Sequence, residues 1–183
     1  MRAPPVSPGT VDSEEEPPDD RARVEEAARG GRRAFQRLYA RYYAPVRAVA
    51  LANLGWPEAD DVTQEVFLRA WERLPQLRHP ERFGPWLLQI ARNRCVDHHR
   101  RARVVGAPAE RGALPPPVSE AMEVLRAIQR LPSAYRETLV MRLVEGMSGP
   151  EIASRTGLTP RSVRVNLHRG MLKLRAALGE ELP

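Results

Sequence analysis

Arg155, Arg161, Arg164, Arg169, Lys173 and Arg175 lie in a stretch, residues 152–179, that contains no acidic residue. Cations at this density neutralise phosphates, and an arginine fork also matches the O6/N7 edge of guanine. The stretch reads as two short helices, 150–156 and 159 onward, joined at Gly157-Leu158. Thr159 is a good N-cap type, and Pro160 fits a first turn that has no use for its missing donor. Val163, Leu167, Gly170, Met171, Leu174 and Leu178 recur at threes and fours and make one apolar face. Arg161, Arg164, Val165, His168 and Arg169 occupy the other. Arg can read guanine, His a base or phosphate, and Val a thymine methyl. The pattern fits a basic helix–turn–helix that lays one helix in a major groove. A merely solvated basic helix is the competing reading.

Two further helices carry opposite chemistry. Over residues 58–74, Val62, Val66, Phe67, Ala70, Trp71 and Leu74 form an apolar stripe, while Asp61, Gln64, Glu65, Leu68 and Glu72 face away from it and Asp60 is adjacent. Such an acidic face repels phosphate and suits a basic protein surface, with a solvated face as the alternative. Over 83–103, Trp86, Leu87, Ile90 and Ala91 share one side, and Gln89, Arg92, Asn93, Val96, Arg100 and Arg103 the other. This second basic stripe suggests a second nucleic-acid contact. The connection over 74–83 is long enough to shape a pocket for an extruded base, or is a surface loop. Trp71 and Trp86 are expected in the core. Cys95 and His99 are one helical turn apart, but no second cysteine or placed carboxylate completes a tetrahedral set, so no metal is expected. Asp60, Asp61 and Glu65 lack an accompanying histidine, which argues against a metal-dependent hydrolase. No cofactor is expected either.

The elements that position these groups follow from composition. The 183 residues have a formal net charge of +6, unevenly spread: residues 29–183 hold twenty-six bases against fifteen acids. That balance favours polyanionic partners. The single cysteine excludes an intramolecular disulfide and suits a reducing compartment. No apolar run is long enough to cross a bilayer, and the Pro-rich acidic start is unlike a secretion signal, so a cytoplasmic protein without membrane insertion is expected. Residues 1–23 read as a disordered acidic tail, which we expect to compete with DNA for the basic faces. Residues 24–103 read as a helical domain, and 104–119, with Pro115-Pro116-Pro117, as a flexible linker. Residues 120–179 form a second helical domain that ends in the helix–turn–helix. No strand-like alternation occurs. The expected fold is all-α, with two small helical domains joined by a flexible Pro-containing linker.

The ordered motifs carry a resemblance. Asp60-Asp61-Val62-Thr63-Gln64-Glu65-Val66-Phe67-Leu68-Arg69-Ala70-Trp71 is followed by Phe83-Gly84-Pro85-Trp86-Leu87-Leu88-Gln89-Ile90-Ala91-Arg92-Asn93-Arg94-Cys95-Val96-Asp97. Leu131-Pro132 and Arg136-Glu137 then lead to Glu151-Ile152-Ala153 and Ser162-Val163-Arg164-Val165-Asn166-Leu167-His168-Arg169-Gly170. In this order and spacing the chain resembles bacterial RNA polymerase sigma factors of the extracytoplasmic-function (ECF) type.

The resemblance implies a non-enzymatic factor that binds core RNA polymerase and directs promoter recognition and transcription initiation, under anti-sigma control in a stress or envelope response. It implies that the first domain is region 2, with Asp60, Asp61, Gln64 and Glu65 on the polymerase. Arg92, Asn93, Arg100 and Arg103 would act at the −10 element, beside a pocket wall over residues 77–83. The second domain would be region 4, with Arg161, Arg164, Val165, His168 and Arg169 at the −35 element. Two departures stand out. Gly149-Pro150 replaces the bulky or acidic residues more usual there, and Val165 replaces a small polar one. The alternative is a helix–turn–helix regulator that acts without sigma-type polymerase binding, for which Asp61, Gln64 and Glu65 would be dispensable.

Overall fold

The computed structural model describes residues 20–104 and 120–179, with backbone alone at Arg103 and Val104. The tail before residue 20 and the linker stretch 105–119 lie outside the described residues, and with them the expectations of disorder, flexibility and competition with DNA. Among the described residues eight α-helices follow in order: α1 (Asp20–Ala28), α2 (Arg32–Asn53), α3 (Trp56–Arg73), α4 (Phe83–Val104), α5 (Glu120–Gln129), α6 (Ser133–Leu143), α7 (Gly149–Thr156) and α8 (Pro160–Ala177). Two 3-10 turns, Leu74–Gln76 and Pro80–Arg82, connect α3 to α4. No strand occurs among the described residues.

Helix α1 begins inside the stretch expected to be tail. Its first residue explains why: the Asp20 carboxylate accepts hydrogen bonds from Arg41 Nε at 2.9 Å and Tyr42 OH at 2.8 Å on α2. Burial, and next the Asp20 charge, push the Tyr42 phenol well above its usual range, so it remains a donor. Val24 and Ala27 complete the docking of α1.

The two helical units, α1–α4 and α5–α8, pack together rather than standing apart, and α2 is the shared element. Over Ala48-Val49-Ala50-Leu51-Ala52 every side chain is fully buried. An amphipathic surface helix cannot do that; a helix enclosed on all sides does. Small alanines let α6 approach one side while α3 and α4 cover others. Ile128, Leu139, Val140, Met141 and Ile152 of the second unit join the same apolar cluster.

The helix–turn–helix is built by local rules. Ser148 caps α7 in a capping box, its Oγ accepting from the Glu151 N–H at 3.3 Å while Glu151 accepts from the Ser148 N–H at 2.8 Å. Gly149-Pro150 therefore occupies a first turn that needs no donor from proline, and the helix starts normally. Gly157 ends α7 at φ 74°, the left-handed region open to glycine, and Thr159 caps α8 by accepting from the Ser162 N–H at 3.1 Å.

Candidate nucleic-acid and partner interfaces

Helix α8 buries Val163, Gly170 and Leu174 and half-buries Leu167 and Met171. Leu178, expected in that stripe, caps the helix and is 39% exposed. Gly170 is required by proximity: a Cβ there would sit 3.1 Å from Leu139, so α6 and α8 touch closely. This packing turns Arg161, Arg164, Val165, His168 and Arg169 outward, all exposed on one face. None of the four cationic or imidazole groups has a hydrogen-bond or ion-pair partner among the described residues.

The acidic helix is less uniform. Asp61 and Gln64 are exposed and unpartnered among the described residues. Glu65 is half-buried and paired with Arg94 of α4. Asp60 is bound by Arg47 Nε at 2.7 Å, and the same guanidinium reaches Glu145 of the second unit at 2.8 Å. Arg47 also lies over the Trp56 ring, 5.0 Å from its centroid. An apolar groove lined by Phe35, Tyr39, Phe67, Leu68 and Trp71 adjoins Gln64.

On α4 the expected basic stripe divides. Asn93 and Arg100 are exposed, and Arg103 has no described side chain. Arg92 instead turns to the second unit, where it donates to Glu137 through Nε at 3.1 Å to both oxygens and Nη2 at 2.8 Å. Glu137 is nearly buried, so this bidentate pair is one of the stronger polar contacts across the interface. Others are Gln129 to the Leu51 carbonyl at 2.8 Å, Arg136 to Asn53, and Arg155 to the Arg41 carbonyl at 3.3 Å.

Spacing alone did not reveal Glu137, Arg47 and Arg94 as structural partners. Arg94 had a signal, since it follows Leu87 and Ala91 at helical intervals and so belongs to the apolar side of α4. It is nine-tenths buried and bridges Glu65 and Asp97. The 3-10 turns of the α3–α4 connection leave Leu77 half-buried and packed on the core, while His79 and Glu81 pair on the surface at 3.1 Å.

Cys95, His98 and His99 do not converge. Cys95 is buried, and His99 Nε2 lies 3.1 Å from the Asn53 carbonyl. No group of three or more His, Cys, Asp or Glu able to hold a metal occurs among the described residues. Burial, and next the Glu137 charge, push the Cys95 thiol up to about 12. In the unfolded chain the thiol ionises near its usual ~8.5. The folded value is the raised one, so this contribution to stability is complete below about pH 8.5 and declines as pH climbs toward 12. Iodoacetamide at about pH 8 should leave native Cys95 unmodified and alkylate it once urea unfolds the chain. Mass spectrometry reads the difference, and rapid labelling of the native protein would contradict this placement.

A helical protein of two units carries an acidic helix, a basic helix beside it and a helix–turn–helix whose basic face has no partner among the described residues. Comparison supplies the class. Residues 38–104 match the family model "Sigma-70 region 2", and residues 121–174 match "Sigma-70, region 4". The chain is 31% identical over 177 residues to the ECF RNA polymerase sigma factor SigL of Mycobacterium tuberculosis, covering 87% of this chain and 97% of that one. It is 34% identical over 168 residues to "Probable RNA polymerase sigma factor RfaY" of Xanthomonas campestris pv. campestris, but spans only 42% of that protein's length. The solved structure of CnrH in complex with the cytosolic domain of CnrY superposes with a TM-score of 0.58 at 31% identity, covering 89% of this chain and 99% of that one. The chain belongs to the RNA polymerase sigma factors of the ECF type. Members of this family are DNA-binding regulatory proteins rather than enzymes.

Proposed function

We propose that this chain loads onto core RNA polymerase through the Asp61, Gln64 and Glu65 face of α3, with Asp60 joining once Arg47 releases it. Asn93, Arg92, Arg100 and Arg103 of α4 then serve the −10 element, and the outward face of α8 reads the −35 element. It acts in the cytoplasm and does no chemistry itself, because bond formation belongs to the polymerase. No described helix is long and apolar enough to cross a membrane. The observation that carries this reading is the pairing, in one chain, of a region 2 unit with exposed Asp61 and Gln64 and a region 4 unit with an exposed basic face. A regulator working without polymerase has no use for the first.

The closed arrangement adds a requirement. Arg92 is held by Glu137 of the second unit, and Arg47, which holds Asp60 within the first unit, is itself bridged to Glu145 of the second. The units must part before both promoter elements can be engaged, and a partner that favours the closed form would keep the factor silent. We propose an anti-sigma factor in that role.

Run-off transcription of genomic fragments by core polymerase with and without the chain tests the function. New transcripts that depend on the chain are expected, and none would refute it. On a promoter found this way, Arg164→Ala should cost about 1–3 kcal/mol of holoenzyme affinity and relax the preference at one upstream base pair. A footprint titration over single-base variants measures both effects.

A further inference from the structure

A cleft of about 570 Å³ lies where the α2–α3 turn of the first unit meets α5 of the second. Leu54, Trp56 and Pro57 form one wall, and Met122 and Leu125 the other. Leu54 and Met122 are half-buried, and Trp56 keeps 40% of its surface exposed although Arg47 already lies over its ring. The closed packing therefore leaves apolar surface uncovered between the units. Gln129, also on the cleft, ties the two walls together, because its Nε2 donates to the Leu51 carbonyl at 2.8 Å.

The polar groups on the cleft are few and unequal. Glu58 lies in the first turn of α3, where the helix dipole offsets a carboxylate. The Gln129 amide is occupied by Leu51. Arg126 is the group left over: it is exposed and has neither an ion pair nor a hydrogen bond among the described residues. An apolar hollow lined with one unanswered cation suits an apolar body that carries one anionic group. Size selects the kind of occupant. The volume falls in the range of about 300–1,000 Å³ that small-molecule sites occupy, whereas a helix with its side chains is about 10–12 Å across and needs a long groove.

We propose that this cleft binds a small apolar acid, with its anionic oxygens on the Arg126 guanidinium and its apolar body between Trp56 and Met122. The two walls belong to different units, so only the closed form offers the complete site. A ligand that binds one form better shifts the population toward it, and here that form is the one that holds Arg92 on Glu137. On the sigma reading such a molecule is a chemical signal that keeps the factor silent. Binding and closure themselves do not depend on that reading.

Titration of the full chain with anilinonaphthalene sulfonate, read by its fluorescence, tests the site. Phenylnaphthylamine, the same aromatic body without the acid, is the comparison. Saturable binding of the sulfonate is expected, weakened about tenfold in Arg126→Gln because a hydrogen bond to a charged group is lost. Phenylnaphthylamine should bind both chains alike. Arg126 is exposed, so its replacement does not threaten the fold. Met122→Trp fills the cleft and should weaken both probes at least about tenfold. Sulfonate affinity unchanged in Arg126→Gln, or both affinities unchanged in Met122→Trp, would overturn the proposal. So would the absence of saturable binding to the wild type, which would leave a protein segment as the occupant. Fluorescence transfer between red dyes on α3 and α8 reads the closure. Saturating sulfonate should restore whatever transfer Glu137→Gln loses, and transfer that stays low would overturn the coupling. None of these readouts uses polymerase, so failure of the cleft is distinct from failure of the wild type to co-elute with core polymerase, which condemns the sigma reading.

Discussion

Replacing Gly84 by alanine should drive the two helical units apart. Gly84 lies in the first turn of α4, and a Cβ there would overlap the Arg155 carbonyl of α7. A backbone carbonyl cannot rotate aside, so α7 must withdraw. The Tyr42 ring, 3.0 Å from the same Cβ, has only to give by tenths of an ångström. Alanine is the better helix former, so the first unit should keep its fold or gain slightly. Overpacking of this kind costs about 1–3 kcal/mol, or roughly five- to hundredfold in the closed-to-open ratio. The neighbouring contact reinforces the effect: a Cβ at Gly157 would meet Pro85 Cγ at 2.7 Å, so α4 and the helix–turn–helix turn approach at two glycines. Fluorescence transfer between dyes on exposed positions of α3 and α8 should fall in Gly84→Ala. Unchanged transfer would show that the close approach does not hold the units together.

Glu137→Gln should open the molecule by a different route. It keeps the volume of a nearly buried side chain but removes the charge that holds Arg92 at 2.8–3.1 Å. Hydrogen bonds to charged groups contribute about 1.5–3 kcal/mol. Arg92 is already 40% exposed and can turn to water, so it is not left stranded. The expected result is at least a tenfold shift toward the open form, with stronger and more salt-dependent DNA binding because one more cation is free. Arg92→Gln should also open the molecule but without that gain. Equal DNA affinity in both variants would contradict a role for Arg92 on DNA.

Much of the fold was legible because its signals are local. The cap Thr159, the junction at Gly157, the stripe of α8 and the apolar run of α3 each follow from residue types at fixed spacing. The acidic and basic faces were legible for the same reason. What was hidden depends on contacts between residues far apart in sequence. Arg92 shares helical spacing with Asn93 and Arg100, and only the approach of α6 separates it from them. Asp20 looked like one more acid of the tail until Arg41 and Tyr42 gave it partners. The closed packing did leave one trace. Ala48-Val49-Ala50-Leu51-Ala52 offers no polar face, and a helix that needs none is enclosed on all sides.

The central claim is that this chain docks on core RNA polymerase through α3. Gel filtration of the purified chain with core polymerase tests it most directly, beside Asp61→Arg with Gln64→Arg. Those two side chains are exposed and unpartnered among the described residues, whereas reversing Glu65 would also break its pair with Arg94. Circular dichroism checks that the variant remains helical. Co-elution of the wild type, lost in a folded variant, is the result predicted. Co-elution unaffected by the double reversal, or no co-elution of the wild type, would contradict the account.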